Sequence, residues 1–204
     1  MIRFAMMLLL AGAVPLEAQP FESWHTTDFT YLRGSKQFTL HTQFRSADRF
    51  RLLYHGRVGP WFQYLHRGVT YGAAYYYQRN HPSGRELEDS HRPFAWIDFP
   101  LLEGPHRVTN RAMYERFLGA ARPAFNRYRY QVRYSREGQW TPILSFESFV
   151  DHKGLFGWRY SGSIRRALSR VSELHVGYFY DQRRANVGGP RHVVFTNLRF
   201  RWGE

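Results

Sequence analysis

The residues of this chain best equipped for bond-breaking chemistry are His41, His55 and His175, the serines Ser145, Ser161 and Ser163, and the acids Asp98 and Glu147. A serine whose proton passes to a carboxylate-oriented histidine is a hydrolytic triad, so the inventory holds the parts of a lipase or deacylase. No G-x-S-x-G or comparable local motif surrounds any of the serines. The ten histidines lack the spacing that zinc sites use, and there is no cysteine to supply a thiolate. No metal or cofactor is therefore expected.

A second set is more regular. Arg92, Arg111, Glu115, Arg127, Arg129, Arg133, Glu147 and Arg159 carry both signs of charge at even spacings within short segments. The planar arginine fork can bridge two carboxylates on neighbouring strands. Such residues would build either a bracing ladder of ion pairs or, with positive charge in excess, a path or site that prefers anions.

The elements that would position them are strands. In Asn126–Ser135 (NRYRYQVRYS), Arg127, Arg129, Gln131 and Arg133 alternate with Tyr128, Tyr130, Val132 and Tyr134. Period two places these sets on opposite faces of a strand, one cationic and one aromatic or β-branched. The same alternation recurs along the chain in KQFTLHTQFR, RFRLLYHGRVGPWFQYL, VTYGAAYYYQR, HRPFAWIDF, RVTNRAMYERF, WTPILSFESF, GWRYSGSIRRAL, SELHVGYFYDQ and RHVVFTNLRFRW. FESWHTTDFTYL is a weaker alternator. In the second of these segments Arg49, Arg51, His55 and Arg57 share one face, with Phe50, Leu52, Tyr54 and Val58 on the other. Pro60 lacks a ladder donor and is expected at a strand end or bulge. Parity adds Asp98 and Glu173 to the charged face.

Eleven strand-like segments emerge, and no amphipathic helix. Bacterial single-chain membrane barrels have even strand numbers, so the first segment is expected to be miscounted or split. Ten to twelve strands is the expectation, with twelve favoured. Connections alternate between short ones, near Arg67, Pro105, Glu137 and Ser169, and longer ones, near Pro82, Ala121, His152 and Gly188. That asymmetry matches the short periplasmic turns and longer outer loops of an outer-membrane barrel.

Composition separates a lipid-facing barrel from a soluble one. Aromatic residues make up 18% of the chain. The consistent apolar face is Tyr, Phe and Trp, many near segment ends, where membrane interfaces collect aromatics. A soluble periplasmic β-protein would instead present a Leu/Ile/Val core. The expected fold is thus all-β, a transmembrane antiparallel up-and-down barrel. The formal net charge of +13 would suit nucleic acid, but the arginines alternate with aromatics instead of clustering. An exported protein also does not meet nucleic acid. Outer-membrane lipid and the barrel-assembly machinery are the expected partners.

Export is read from the N-terminus. Arg3 precedes the apolar run FAMMLLLAGAV, and Pro15–Gln19 follows it, which is the layout of a signal peptide. Cleavage after Ala18 would leave one barrel domain over residues 19–204, although a cut after Ala13 also fits. The run is too short to span a membrane.

The order of the paired Arg111–Glu115 strand, RYRYQVR, FESF, GWRYSG and LHVGYFYDQ resembles the domain of unknown function 2490 family. These are exported bacterial proteins taken to be outer-membrane β-barrels. The resemblance extends from about Ser23 to Trp202. It departs at Met113, where the family carries a second arginine, and at Ser90, where a glutamate is common and Asp89 stands adjacent. The resemblance implies a barrel and no known activity. N-terminal sequencing of the protein recovered from the cell envelope is expected to begin at Gln19; an intact Met1 in the mature protein would exclude a cleaved leader.

Overall fold

A computed structural model describes residues 21–47, 52–81, 87–119, 123–184 and 189–204. The expected leader, the faces of Arg49, Phe50 and Arg51, and the loop positions Pro82, Ala121 and Gly188 lie outside those residues. The described chain consists of β1 (Phe21–Arg33), β2 (Lys36–Ala47), β3 (Leu52–His66), β4 (Val69–Asn80), β5 (Glu88–Leu102), β6 (His106–Gly119), β7 (Phe125–Arg136), β8 (Thr141–Asp151), β9 (Gly154–Ala167), β10 (Ser172–Arg183) and β11 (Arg191–Gly203). Each strand pairs antiparallel with its neighbour in sequence, and the sheet closes on itself.

Among the described residues the strands number eleven, within the expected ten to twelve and one short of the favoured twelve, and the first segment is a single strand. An odd number makes the first and last strands run in the same direction, so the closing pair must be parallel. β1 and β11 pair from Phe21↔His192 to Leu32↔Gly203 in one unbroken register. The barrel is therefore up-and-down with one parallel seam.

One rim carries the tight turns at 34–35, 67–68, 103–105, 137–140 and 168–171; the other carries the connections after β2, β4, β6, β8 and β10. We refer to these as the turn rim and the loop rim. The connection near His152 proves short. Only His152 and Lys153 separate β8 from β9; the Lys153 amide donates to Asp151 Oδ1 at 2.7 Å, and Gly154 takes the left-handed conformation with φ 93°. Pro60 also departs from expectation by sitting mid-strand. The β2 side of β3 pairs through it (Leu40↔Pro60), while the β4 ladder passes from Val58↔Tyr77 to Trp61↔Ala74 and omits it. Its missing donor thus falls where the ladder makes no pair.

The exterior explains why the sequence alternates. Leu40, Val58, Val132, Leu144, Phe146, Ile164 and Val176 stand exposed around the middle of the wall. Tyr75, Tyr128 and Tyr178 lie toward the loop rim, and Tyr31, Tyr64, Tyr71 and Trp202 toward the turn rim. An apolar surface encircling the molecule, flanked by aromatic girdles, is a lipid-facing surface and not one a soluble monomer presents. No helix among the described residues is long and apolar enough to cross a membrane; the strands do the crossing.

Inside, two apolar clusters pack against the charged side chains on different arcs of the wall. Tyr76, Phe94, Trp96 and Met113 form a buried cluster with Trp61 against it, and Trp24, Phe179 and Val193 form another with Phe195. Gly72 makes room for the first: a Cβ there would come within 2.0 Å of the Trp96 ring.

Bulges refine the parity. The β2–β3 register shifts between Arg45 and Ser46, leaving Tyr54 without a partner, and the β8–β9 register shifts between Phe149 and Val150, leaving Phe156 without one. Tyr54 therefore reaches inward beside His55, where its hydroxyl donates to Glu22 at 2.5 Å. Its expected outward face is corrected by that extra residue.

The parallel seam can be checked directly because the chain has no native cysteine. Cysteine pairs at His25/Thr196 and at Phe29/Phe200 are both expected to cross-link on oxidation, since both positions advance together along β1 and β11. An even-stranded barrel would require one position to rise as the other falls, and the two pairs could not both form.

Candidate functional site

The interior charges assemble into a belt that follows the wall strand by strand toward the loop rim. On β5, Arg92 Nη1 lies 3.8 Å from Glu115 Oε1 on β6. From β7, Arg127 Nε approaches Glu115 Oε2 at 2.5 Å and Arg129 Nη1 approaches Glu115 Oε1 at 3.1 Å. Arg129 also reaches Glu147 on β8 at 2.6 Å, and Arg159 on β9 meets Glu147 at 3.3 Å. Arg159 continues to Asp181 on β10 at 3.2 Å, which also holds Arg183 and Arg191, each at 2.9 Å. Arg191 on β11 closes on Glu22 of β1 at 3.1 Å. Acids thus occupy β6, β8, β10 and β1, with arginines on the strands between them. The side chains of Glu115, Glu147 and Asp181 are 1%, 2% and 0% exposed.

Burying a carboxylate this deeply is tolerable only when several donors replace its water. Each belt carboxylate meets that condition with two or more partners. Glu22 adds the Trp24 indole N–H at 2.8 Å and the Tyr54 hydroxyl to its arginine. Aromatic faces cover the guanidinium planes. Arg159 lies 4.2 Å from the Phe179 ring centroid, and Arg127 lies 4.7 Å from that of Phe117. Arginine on an aromatic face adds attraction that strengthens as water is excluded.

A second, smaller set lies toward the turn rim. Arg111 binds Asp98 through both Nε, at 2.5 Å, and Nη2, at 2.7 Å. Asp28 accepts from Asn197 at 3.0 Å, pairs with His41 Nδ1 at 2.7 Å and lies 3.4 Å from Arg199. Glu173 holds Arg199 and Arg201. Of the residues singled out from sequence, Arg92, Glu115, Arg127, Arg129, Glu147 and Arg159 lie in the loop-rim belt. Arg111 is separate from it, because its opposite neighbour on β7 is Gln131 and its acid is Asp98. Arg133 pairs with no carboxylate among the described residues and is exposed near the turn rim. Glu22, Asp181, Arg183 and Arg191 belong to the belt and were missed. Parity would have found them, since Glu173 and Asp181 share a face of β10 and Glu22 shares one with Asp28.

The hydrolase parts are scattered. His55 Nδ1 meets Asn80 at 2.5 Å, and His41 is taken by Asp28. His175 Nε2 lies 2.8 Å from Ser163 Oγ, but His175 has no carboxylate partner among the described residues. Ser145 and Ser161 bond each other at 2.6 Å. No described group of His, Asp and Glu could hold a metal ion.

Above the belt, a cavity of about 470 Å³ opens toward the loop rim. Its wall combines belt arginines with Trp24, Tyr54, Phe149 and Phe156, and with Arg45 and Arg57 on the arc of β2 and β3.

The fold and the site define a membrane-spanning β-barrel with an ion-paired interior. No protein-family model matches this chain, and no curated protein matches it. Among solved structures it is similar to an anion-selective porin from Comamonas acidovorans, at 10% identity and a TM-score of 0.39. The match covers 79% of this chain and 55% of the porin's.

The belt's energetics are open to measurement. Glu115→Gln leaves Arg92, Arg127 and Arg129 sharing a neutral partner and is expected to cost about 3–5 kcal/mol, the range for breaking a well-buried pair. Asp98→Asn, at a site where both partners are more than a fifth exposed, is expected to cost clearly less. Urea unfolding in detergent or lipid, read by the gel shift between folded and unfolded forms, separates the two.

Proposed function

We propose that this chain is a non-enzymatic β-barrel of the bacterial outer membrane, delivered by its leader and inserted by the barrel-assembly machinery. Its interior is a closed, bracing ladder and not a continuous pore. The observation that carries the reading is the depth of the belt: carboxylates on successive even-numbered strands are out of reach of water, each locked between arginines. Two aromatic clusters pack against the belt arginines from different arcs of the wall. A wide aqueous channel would leave those groups hydrated. The resemblance to the domain of unknown function 2490 family supports the same placement and adds no activity.

The surplus of arginine favours the competing reading of a narrow anion-preferring channel, because rings of uncompensated cations admit anions and repel cations. Planar-bilayer recording of the purified protein decides between them. The expected result is no steady conductance in the wild type. Stable, anion-selective steps would overturn the closed reading and make the belt a selectivity element.

A further inference from the structure

The loop-rim cavity is lined by two arginines that stand outside the belt's ion pairs, with the carboxylates Glu88 and Asp89, the latter held by Arg79, on its β5 side. Every arginine lining it from β5, β7, β9, β10 and β11 is paired with a carboxylate of the belt. Arg45 and Arg57 are not: among the described residues neither meets an acid. Arg45 donates from Nε to Gln43 Oε1 at 2.7 Å, and its guanidinium lies 3.7 Å from the centroid of the Trp24 ring. Arg57 donates from Nε to His41 Nε2 at 3.3 Å and lies 4.3 Å from the Tyr76 ring centroid. In each case the Nε edge is engaged and one plane is stacked, so the fork's terminal nitrogens have no acceptor among the described residues. The two arginines are diagonal neighbours, since Arg45 stands opposite His55 and Gln43 opposite Arg57. Such neighbours lie about 7–8 Å apart at their backbones, and both line the same cavity. Both side chains are partly exposed, so the cavity reaches them.

We propose that this arc of β2 and β3 is a binding site for an organic phosphomonoester. A phosphomonoester at neutral pH carries about −1.5 to −2 charges, which matches the two uncompensated guanidinium groups. Its three terminal oxygens suit two arginine forks. Tyr54 beside them on β3 and Phe156 on β9 line the same cavity and supply aromatic rings for the organic part. The cavity volume falls within the range of about 300–1,000 Å³ typical of small-molecule sites. The bulge residues Tyr54 and Phe156 are turned into the cavity by an extra residue in each strand, a device that re-aims side chains at functional rims. The site rests on the closed-barrel reading only in that a closed interior makes it a blind pocket; bilayer conductance tests closure separately.

The test uses the full barrel in detergent at fixed ionic strength, titrated with phenyl phosphate by calorimetry. Saturable binding is expected, displaced by inorganic phosphate but not by benzyl alcohol. Arg45→Gln and Arg57→Gln are each expected to weaken it at least tenfold, with Arg133→Gln at the other rim leaving it unchanged. Absence of saturable binding to the wild type, or equal weakening by Arg133→Gln, would overturn the site and leave only general attraction to a basic protein. Should the glutamine variants fail to fold, the wild-type competition series still decides: displacement by benzyl alcohol as effective as by inorganic phosphate would remove the role of the anion. Phosphatidic acid in mixed micelles identifies the source. Competition with phenyl phosphate that is lost in Arg45→Gln supports a lipid-borne phosphate reaching over the rim; phenyl phosphate binding without such competition supports a free solute.

Discussion

A carboxylate sealed from water within a membrane barrel must be surrounded by donors, and the rest of the interior follows from that requirement. Glu115, Glu147 and Asp181 are each met by arginines from both flanking strands, so the belt ties β5 through β1 by side chains as well as by the backbone ladder. Replacing such pairs by apolar residues of equal volume can be neutral or stabilising in a soluble core. Here the alternation of sign from strand to strand also fixes register, because a one-residue slip would turn a charged row toward lipid.

The aromatic residues serve two masters. Outward, tyrosines and tryptophans form the girdles at both rims. Inward, Trp24, Phe149, Phe179 and Tyr76 fill space between guanidinium planes that would otherwise require water. Arginine and aromatic side chains together are bulky enough to occupy an eleven-stranded interior, and lysine would not stack in this way.

Much of this was legible in the sequence because a strand's period of two is rigid. The cationic face of Asn126–Ser135 and the pairing of its arginines with Glu115 and Glu147 follow from alternation plus neighbouring strands. What escaped depended on features that alternation cannot carry. The parity of Tyr54 was overturned by a bulge, which leaves no local mark in composition. Pro60 was tolerated mid-strand because the ladder on one side omits it. Arg111 shares a face with Glu115, but it stands directly opposite Asp98 in the β5–β6 register and pairs there. Strand number falls within the expected ten to twelve, but the rule of even counts favours twelve over the eleven visible segments, although odd counts occur in barrels outside bacteria.

The parallel seam has a kinetic side. Tight turns join β1 to β2, β3 to β4, β5 to β6, and β7 through β10 in series, so these form as local hairpins. β11 is left over. It follows β10 through the longer connection at 184–190, pairs with it, and completes the circle against β1, joining residues 171 apart in sequence, as at His25 and Thr196. Contacts of such long separation form late, because the entropy of the intervening chain must be lost before they stabilise anything. Until they form, two bare strand edges stand open in a medium that offers backbone groups no water. The seam is thus both the last stitch of the fold and the place where a half-finished barrel is most exposed to pairing with a neighbour.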